Sequence, residues 1–235
     1  MTFRDTKYGP IVSGKTGPTR NQVRTDPRFA RTRKMNDEFA RACDGAKIFR
    51  GLFSEAIVNC YDTQMHKRLV GLMRKVISSD SVSPKGERNL LMGDNSLIKG
   101  FEWNKHASLR SIIGMNYKVD IHRNSGEVLF HFPSFKPEGG YPQHEAATHY
   151  RITAAIAELN WRDDLPYTAR QTTGYLSLND TQAANFTVLL EINKQTKNPI
   201  ASSLSITWYV EVSGVMYPLQ NAGYNAAAVV DVDVV

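Results

Sequence analysis

The sequence is poor in the groups that usually announce chemistry. Its 235 residues include two cysteines, Cys43 and Cys60, in neither a CxxC nor a metal-ligand spacing. That excludes a disulfide-built scaffold and a zinc ribbon, and both cysteines read as buried free thiols in helical segments. There is no glycine-rich phosphate loop and no nucleophile elbow, and the six histidines are scattered. An enzyme would therefore have to gather its site from unlinked positions. No window reaches the roughly 18 apolar residues of a membrane span, and Met1–Lys7 lacks the apolar stretch of a secretory leader. The expected compartment is the cytoplasm, with release by a non-classical route left open, and the sequons at Asn179 and Asn185 then carry no weight.

The composition, 41% hydrophobic and 22% charged, is that of a chain with an ordinary core and excludes a disordered or low-complexity polypeptide. Charge is unevenly spread. Residues 1–35 hold nine Lys/Arg against two Asp/Glu, a balance of +7 out of a whole-chain net of +6. Residues 36–110 sum to +3 and residues 111–235 to −4.

The pattern divides at the same places. Residues 1–35 carry Pro10, Pro18 and Pro27 with Gly9, Gly14 and Gly17 and only single apolar residues, which predicts an extended basic arm. Asn36 followed by Asp37 and Glu38 predicts a helix start. Beyond it, Ile48/Leu52/Ala56 and Phe49/Phe53/Ile57 form two rows at i, i+4 that call for burial. A second helix is predicted from Asp62 to about Ser79, with Met65, Leu69, Leu72, Met73 and Val76 inward and Lys67, Arg68, Arg74 and Lys75 outward. A polar connection runs to residue 100. The period then changes from 3.6 to 2. Strands are predicted around Tyr117–Ile121, Val128–Phe132, Tyr150–Ile156, Leu176–Leu178, Phe186–Ile192, Leu204–Val212, Val215–Tyr217 and Ala228–Val235. Together these give an α+β fold: arm 1–35, helical segment 36–100, and over 101–235 an antiparallel β-sandwich of seven to eight strands forming one folded unit with the helices.

Three constellations invite a chemical reading and each has a plainer one. His144-Glu145-Ala146-Ala147-Thr148-His149 looks like a zinc-protease motif, but histidines five apart on a helix point about 140° from each other. Asp163-Asp164 suits a solvated turn better than an acid/base pair. Asp231 and Asp233 share one strand face opposite Val230, Val232 and Val234, where charges discourage edge pairing. No catalytic residue, metal ligand, cofactor or small-molecule substrate is indicated.

The unusual feature is the cluster Arg20, Arg24, Arg28, Arg31, Arg33 and Lys34. Arginine forks suit carboxylates and phosphates alike. A +7 arm and a −4 β body are complementary surfaces on one kind of molecule, so the first expectation is a non-enzymatic structural protein that self-assembles as a homo-oligomer, ring or filament. The arm would carry the contact, and the terminal strand with Val230, Val232 and Val234 would pair with its own sheet or a neighbour's. The alternative is a nucleic-acid-binding protein whose arm contacts RNA or DNA phosphates. It lacks a GxxG loop or strand-borne stacking aromatics. An enzyme without a recognisable motif stands third.

The stretch Val23-Arg24-Thr25-Asp26-Pro27-Arg28-Phe29-Ala30-Arg31-Thr32-Arg33, with Asn36-Asp37-Glu38-Phe39, resembles a group of small uncharacterised proteins from Bacteroidetes. Lys75-Val76-Ile77, Pro84-Lys85-Gly86-Glu87-Arg88, Gly100-Phe101-Glu102-Trp103-Asn104 and Tyr217-Pro218-Leu219-Gln220-Asn221-Ala222-Gly223-Tyr224-Asn225-Ala226 extend the likeness over residues 23–232 in order. The resemblance implies a bacterial source rather than a viral coat protein and brings no activity with it.

Overall fold

The computed structural model describes residues 2–13, 17–113, 116–134, 146–162, 167–178, 185–219 and 224–234. The described residues form four α-helices and eleven strands in three antiparallel sheets, so the class is α+β. A hairpin of β1 (Thr2–Thr6) and β2 (Gly9–Ser13) comes first, then α1 (Arg20–Thr25), α2 (Ala30–Leu52), α3 (Met65–Ser79) and α4 (Leu109–Ile113). Nine strands follow: β3 (Lys118–His122), β4 (Glu127–Phe132), β5 (His149–Glu158), β6 (Thr168–Thr172), β7 (Leu176–Ser177), β8 (Phe186–Glu191), β9 (Ile200–Val212), β10 (Val215–Pro218) and β11 (Ala226–Asp233).

Residues 1–35 are not the extended segment that their prolines and glycines suggested. Thr19 and Gln22 make a reciprocal capping box that starts α1. Asp26 then caps a 3₁₀ turn over Pro27–Phe29 that runs directly into α2, six residues before Asn36. Pro27 acts as the first-turn proline that a helix tolerates rather than as a breaker. Asn36 sits inside the helix, and Glu38 is buried to receive Arg88.

Long strands β5 and β9 pair in register from His149↔Tyr209 to Glu158↔Ile200 and form the spine of a six-stranded sheet. β10 and β11 pair with β9, and β6 and β7 pair with β5. A separate three-stranded sheet runs β3-β4-β8. This differs from the expected single sandwich of seven to eight strands, because the six-stranded sheet is covered on both faces. One face packs Ile152, Ile156, Leu204 and Trp208 against Val128, Phe130, Phe132, Val188 and Leu190 of the smaller sheet. The other packs Ala155, Ala157, Ala201, Ala227 and Val229 under the helices, against Phe49, Phe53, Leu69, Met73 and Trp103. β6 escaped prediction because Thr-Ala-Arg-Gln-Thr is a half-exposed edge with no apolar alternation.

The helical layer confirms most of the expected inward residues and corrects one row. Met65, Leu69, Met73 and Val76 are buried on α3, and Phe49 and Phe53 are fully buried, but Ile48 is 41% exposed. Arg68, expected outward, donates to Asp62 and to the carbonyls of Glu102 and Trp103. Cys60 is buried, which pushes its thiol up to about 12, while Cys43 is half-buried; both are free thiols.

The connection after α3 clamps the start of α2 to the body. Glu38 accepts from Arg88 at both oxygens and from the Gly86 N–H, and Arg41 donates to the Arg88 and Gly86 carbonyls. The Arg88 fork holds the Glu38 carboxyl below its ordinary range. Lys34 lies flat over Gly86, whose φ of +99° and lack of Cβ leave the room. Asp80 organises the same loop. Burial pushes its carboxyl up, but the Ser83 N–H and hydroxyl and the Val82 and Asn89 N–H groups outweigh that and lower it from 3.8 to about 2.

Two predictions follow from this packing. Phe49→Ala should cost about 3–5 kcal/mol and Ile48→Ala only about 0.5 kcal/mol, read by chemical denaturation. Because the Asp80 carboxyl is depressed in the folded state, its stabilisation is complete above the unfolded value of 3.8 and is lost as pH falls towards about 2. Asp80→Asn should lower the thermal midpoint at neutral pH and flatten its decline across that window.

Candidate interaction site: the N-terminal arm

The β1–β2 hairpin stands apart from the body. Register pairs Phe3 with Val12 and Arg4 with Ile11 around a Lys7–Tyr8 turn, where Thr6 accepts from the Tyr8 N–H and donates to the Gly9 carbonyl. Gly9 has a φ of +109°, a conformation that suits glycine at this bend. The apolar side chains are left in water: Phe3 is 75% exposed, Tyr8 86%, Ile11 52% and Val12 54%. A two-stranded hairpin with both faces exposed is marginal in water on its own. The sequence carries no period-2 signal here, since Phe3 is the one apolar residue of Thr2–Thr6 and Ile11 and Val12 are adjacent in Gly9–Ser13.

The six cations predicted to bind a partner are not equivalent. Arg28 folds onto Asp26 through Nε and Nη2, which holds the Asp26 carboxyl below its ordinary range. Arg33 donates from Nη1 to the Val23 and Asp26 carbonyls at 2.9 Å, tying α1 to α2. Arg33 thus has a structural role, whereas Arg28 makes a local pair and keeps 82% of its side chain exposed. Arg20, Arg24, Arg31 and Lys34 are exposed, and Arg20, Arg24, Arg33 and Lys34 line an open groove of about 660 Å³ between α1 and α2.

The three valines of the last strand are separated by a bulge. β11 pairs Val229 with Ser203 and Asp231 with Ser202, leaving Val230 as the extra residue. The alternation then changes face. Val230 packs towards the smaller sheet, Val232 is buried under the helices, and Val234 is 45% exposed. The strand's second edge is also taken: Gly100 and Trp103 donate to the Val229 and Ala227 carbonyls, and the Val229 N–H donates to Phe101. β11 thus closes its own sheet rather than lying free for a neighbour. Asp231 pairs with Lys99 and Asp233 with Arg123, so the predicted shared carboxylate face is spent on two separate ion pairs.

Other sequence candidates are placed as follows. His144, Glu145, Asp163, Asp164 and Asn179 lie outside the described residues. His149 contacts Thr148 and faces Glu211 at 3.9 Å. Among the described residues no group of three or more His, Cys, Asp or Glu is arranged to hold a metal ion, and no helix is long and apolar enough to cross a membrane. A second exposed apolar set, Val212, Val215 and Tyr217, sits on one face of the β9–β10 hairpin, whose Ser213-Gly214 turn has positive φ at both residues.

No family model matches the chain, and neither a curated protein nor a solved structure matches it.

The tether that orients the arm is testable. Arg33→Lys, which keeps the charge but loses the fork, should loosen α1 from α2. We expect faster amide exchange across residues 20–26 and an unchanged thermal midpoint of the body.

Proposed function

We propose that the protein is a non-enzymatic structural protein that associates with further copies of itself through the N-terminal arm. The observation that carries this reading is the hairpin: Phe3, Ile11 and Val12 are presented to solvent on an element that, among the described residues, hydrogen-bonds within itself. A protein surface would cover these side chains. β11 is left out of this role, since it pairs with β9 along its length and its second edge is bonded over Ala227–Val229 by the 100–103 segment.

The second reading, binding of RNA or DNA phosphates, is favoured by one observation, the groove lined by Arg20, Arg24 and Lys34. A phosphate chain would neutralise those cations yet leave the three apolar side chains wet.

Light scattering behind size exclusion, with full-length protein at micromolar concentration, separates the two. We expect an assembly larger than one chain that dissociates in Phe3→Asp/Ile11→Asp, a variant of two exposed positions, one on each face of the hairpin, that leaves the core untouched. A monomer at all concentrations, together with duplex or single-strand binding whose affinity falls steeply with salt, would replace this proposal by the nucleic-acid one.

A further inference from the structure

The outer face of the β3-β4-β8 sheet is turned away from the helices and carries three cross-strand rows. Register aligns Lys118, His131 and Thr187 in the first, Asp120, Leu129 and Leu189 in the second, and His122, Glu127 and Glu191 in the third. The first two rows balance their own charges, because Asp120 takes both Lys118 at 2.8 Å and His131 at 3.3 Å. In the third row Glu127 and Glu191 are directly opposite each other, an arrangement that costs stability in an isolated sheet. The recorded side-chain partner of Glu127 is the Ser125 hydroxyl at 2.9 Å, and neither glutamate has a cation in ion-pair contact among the described residues. Beside this carboxylate pair lies the apolar pair of Leu129 and Leu189, the latter 45% exposed.

We infer that this face is the acceptor for the N-terminal hairpin of a second copy, an inference that rests on the arm-mediated association proposed above. Charge complementarity selects the occupant. Two adjacent carboxylates repel nucleic acid and anionic membrane surfaces and call for a cation flanked by aliphatic carbon. The hairpin supplies that combination, since Arg4 stands directly opposite Ile11 on one of its faces. Their Cβ atoms are about 5 Å apart, and the Leu189-to-Glu191 step on the acceptor is about 7 Å, within reach of an extended arginine. Ile11 then covers Leu129 and Leu189 while Arg4 bridges Glu127 and Glu191. The donor leaves the helical layer and the acceptor is the outer face of the opposite layer. The contact is therefore heterologous, and association runs head to tail into a ring or an open filament.

Charge reversal in the full-length protein tests this, with sedimentation velocity as the readout. Glu127→Lys/Glu191→Lys should weaken association about tenfold or more while leaving the thermal midpoint unchanged or raised, because the like-charge pair is gone. If that variant melts early, Glu191→Gln, which removes charge without adding any, is measured in its place. Adding Arg4→Glu to the lysine variant should recover most of the loss. Mixing the lysine variant with Phe3→Asp/Ile11→Asp, which places one carboxylate on each face of the hairpin, should give one-to-one heterodimers and nothing larger, since each brings one intact half of a head-to-tail contact. If the lysine and glutamine variants assemble like the native protein while Phe3→Asp/Ile11→Asp does not, the acceptor lies elsewhere and the arm reading stands. If Phe3→Asp/Ile11→Asp also assembles normally, the arm reading itself falls.

Discussion

β9 is buried on both of its faces, and that constraint shapes everything around it. Its smaller-sheet face carries Ile200, Leu204, Ile206 and Trp208, large side chains that fill the space between two sheets. Its helix-facing side carries Ala201, Ser203 and Ser205, because a full complement of aromatic rings must fit above it. Phe49 stacks on Trp103 at 5.4 Å and Phe53 tilts against both. Two serines make the small-residue floor more than a spacer. Ser203 accepts from the Trp103 indole N–H and donates to the Ala228 carbonyl, and Ser205 donates to the Ala56 carbonyl where the chain leaves the α2 region. A tryptophan buried without such an acceptor would leave its N–H unsatisfied, at a cost of about 1–3 kcal/mol.

From that floor the positions of the outer elements follow. Trp103 is held by β9, and the 100–103 segment that carries it runs along β11, so the same residues that cover the sheet also seal its last strand. Helices α2 and α3 lie on one side, with α2 held to the connection after α3 by the Glu38–Arg88 clamp, while Leu109, Ile112 and Ile113 of α4 join the core on the other. The three-stranded sheet lies on the other side and uses its inner face entirely for the core, leaving Leu129, Leu189, Glu127 and Glu191 on the outside. The acceptor face proposed above thus lies on the layer opposite α2 and α3, because the central sheet needs both of its faces covered.

The sequence displayed the strands well wherever one face was core: β3, β4, β5, β8 and β9 each show an alternation that survives in the structure. It also displayed the ring rows of α2 and the inward face of α3. What it hid has physical causes. Pro27 carried two opposite meanings, breaker and first-turn residue, and only the Asp26 cap in front of it decides between them. The bulge at Val230 turned an apparent three-valine face into residues on two different cores, which no period-2 reading can anticipate. The second layer over β5 and β9 was signalled by Ala155, Ala157, Ala201, Ser203 and Ser205. Small residues in a strand read as weak strand formers until the rings above them are known. For the candidate site, the cluster of cations was plain, but separating Arg33, which ties α1 to α2, and Arg28, which pairs with Asp26, from Arg20, Arg24, Arg31 and Lys34 required their hydrogen-bond partners.

The same sorting explains why charge alone cannot be what joins the copies. An exposed ion pair contributes about 0–1 kcal/mol, while bringing two molecules together costs roughly 4–15 kcal/mol before any contact is counted. Covering a side chain such as Phe or Leu completely contributes about 1.5–3 kcal/mol. Ile11, on the Arg4 face of the hairpin, is 52% exposed and Leu189 is 45% exposed, and in the proposed contact each covers the other, while Phe3 and Val12 lie on the hairpin's other face. Arg4 with Glu127 and Glu191 then sets orientation and partner choice, the role complementary charge fills best. That division predicts where salt acts. Raising ionic strength should slow association through the screened arginine–carboxylate attraction while leaving the dissociation rate, held by apolar contact, nearly constant.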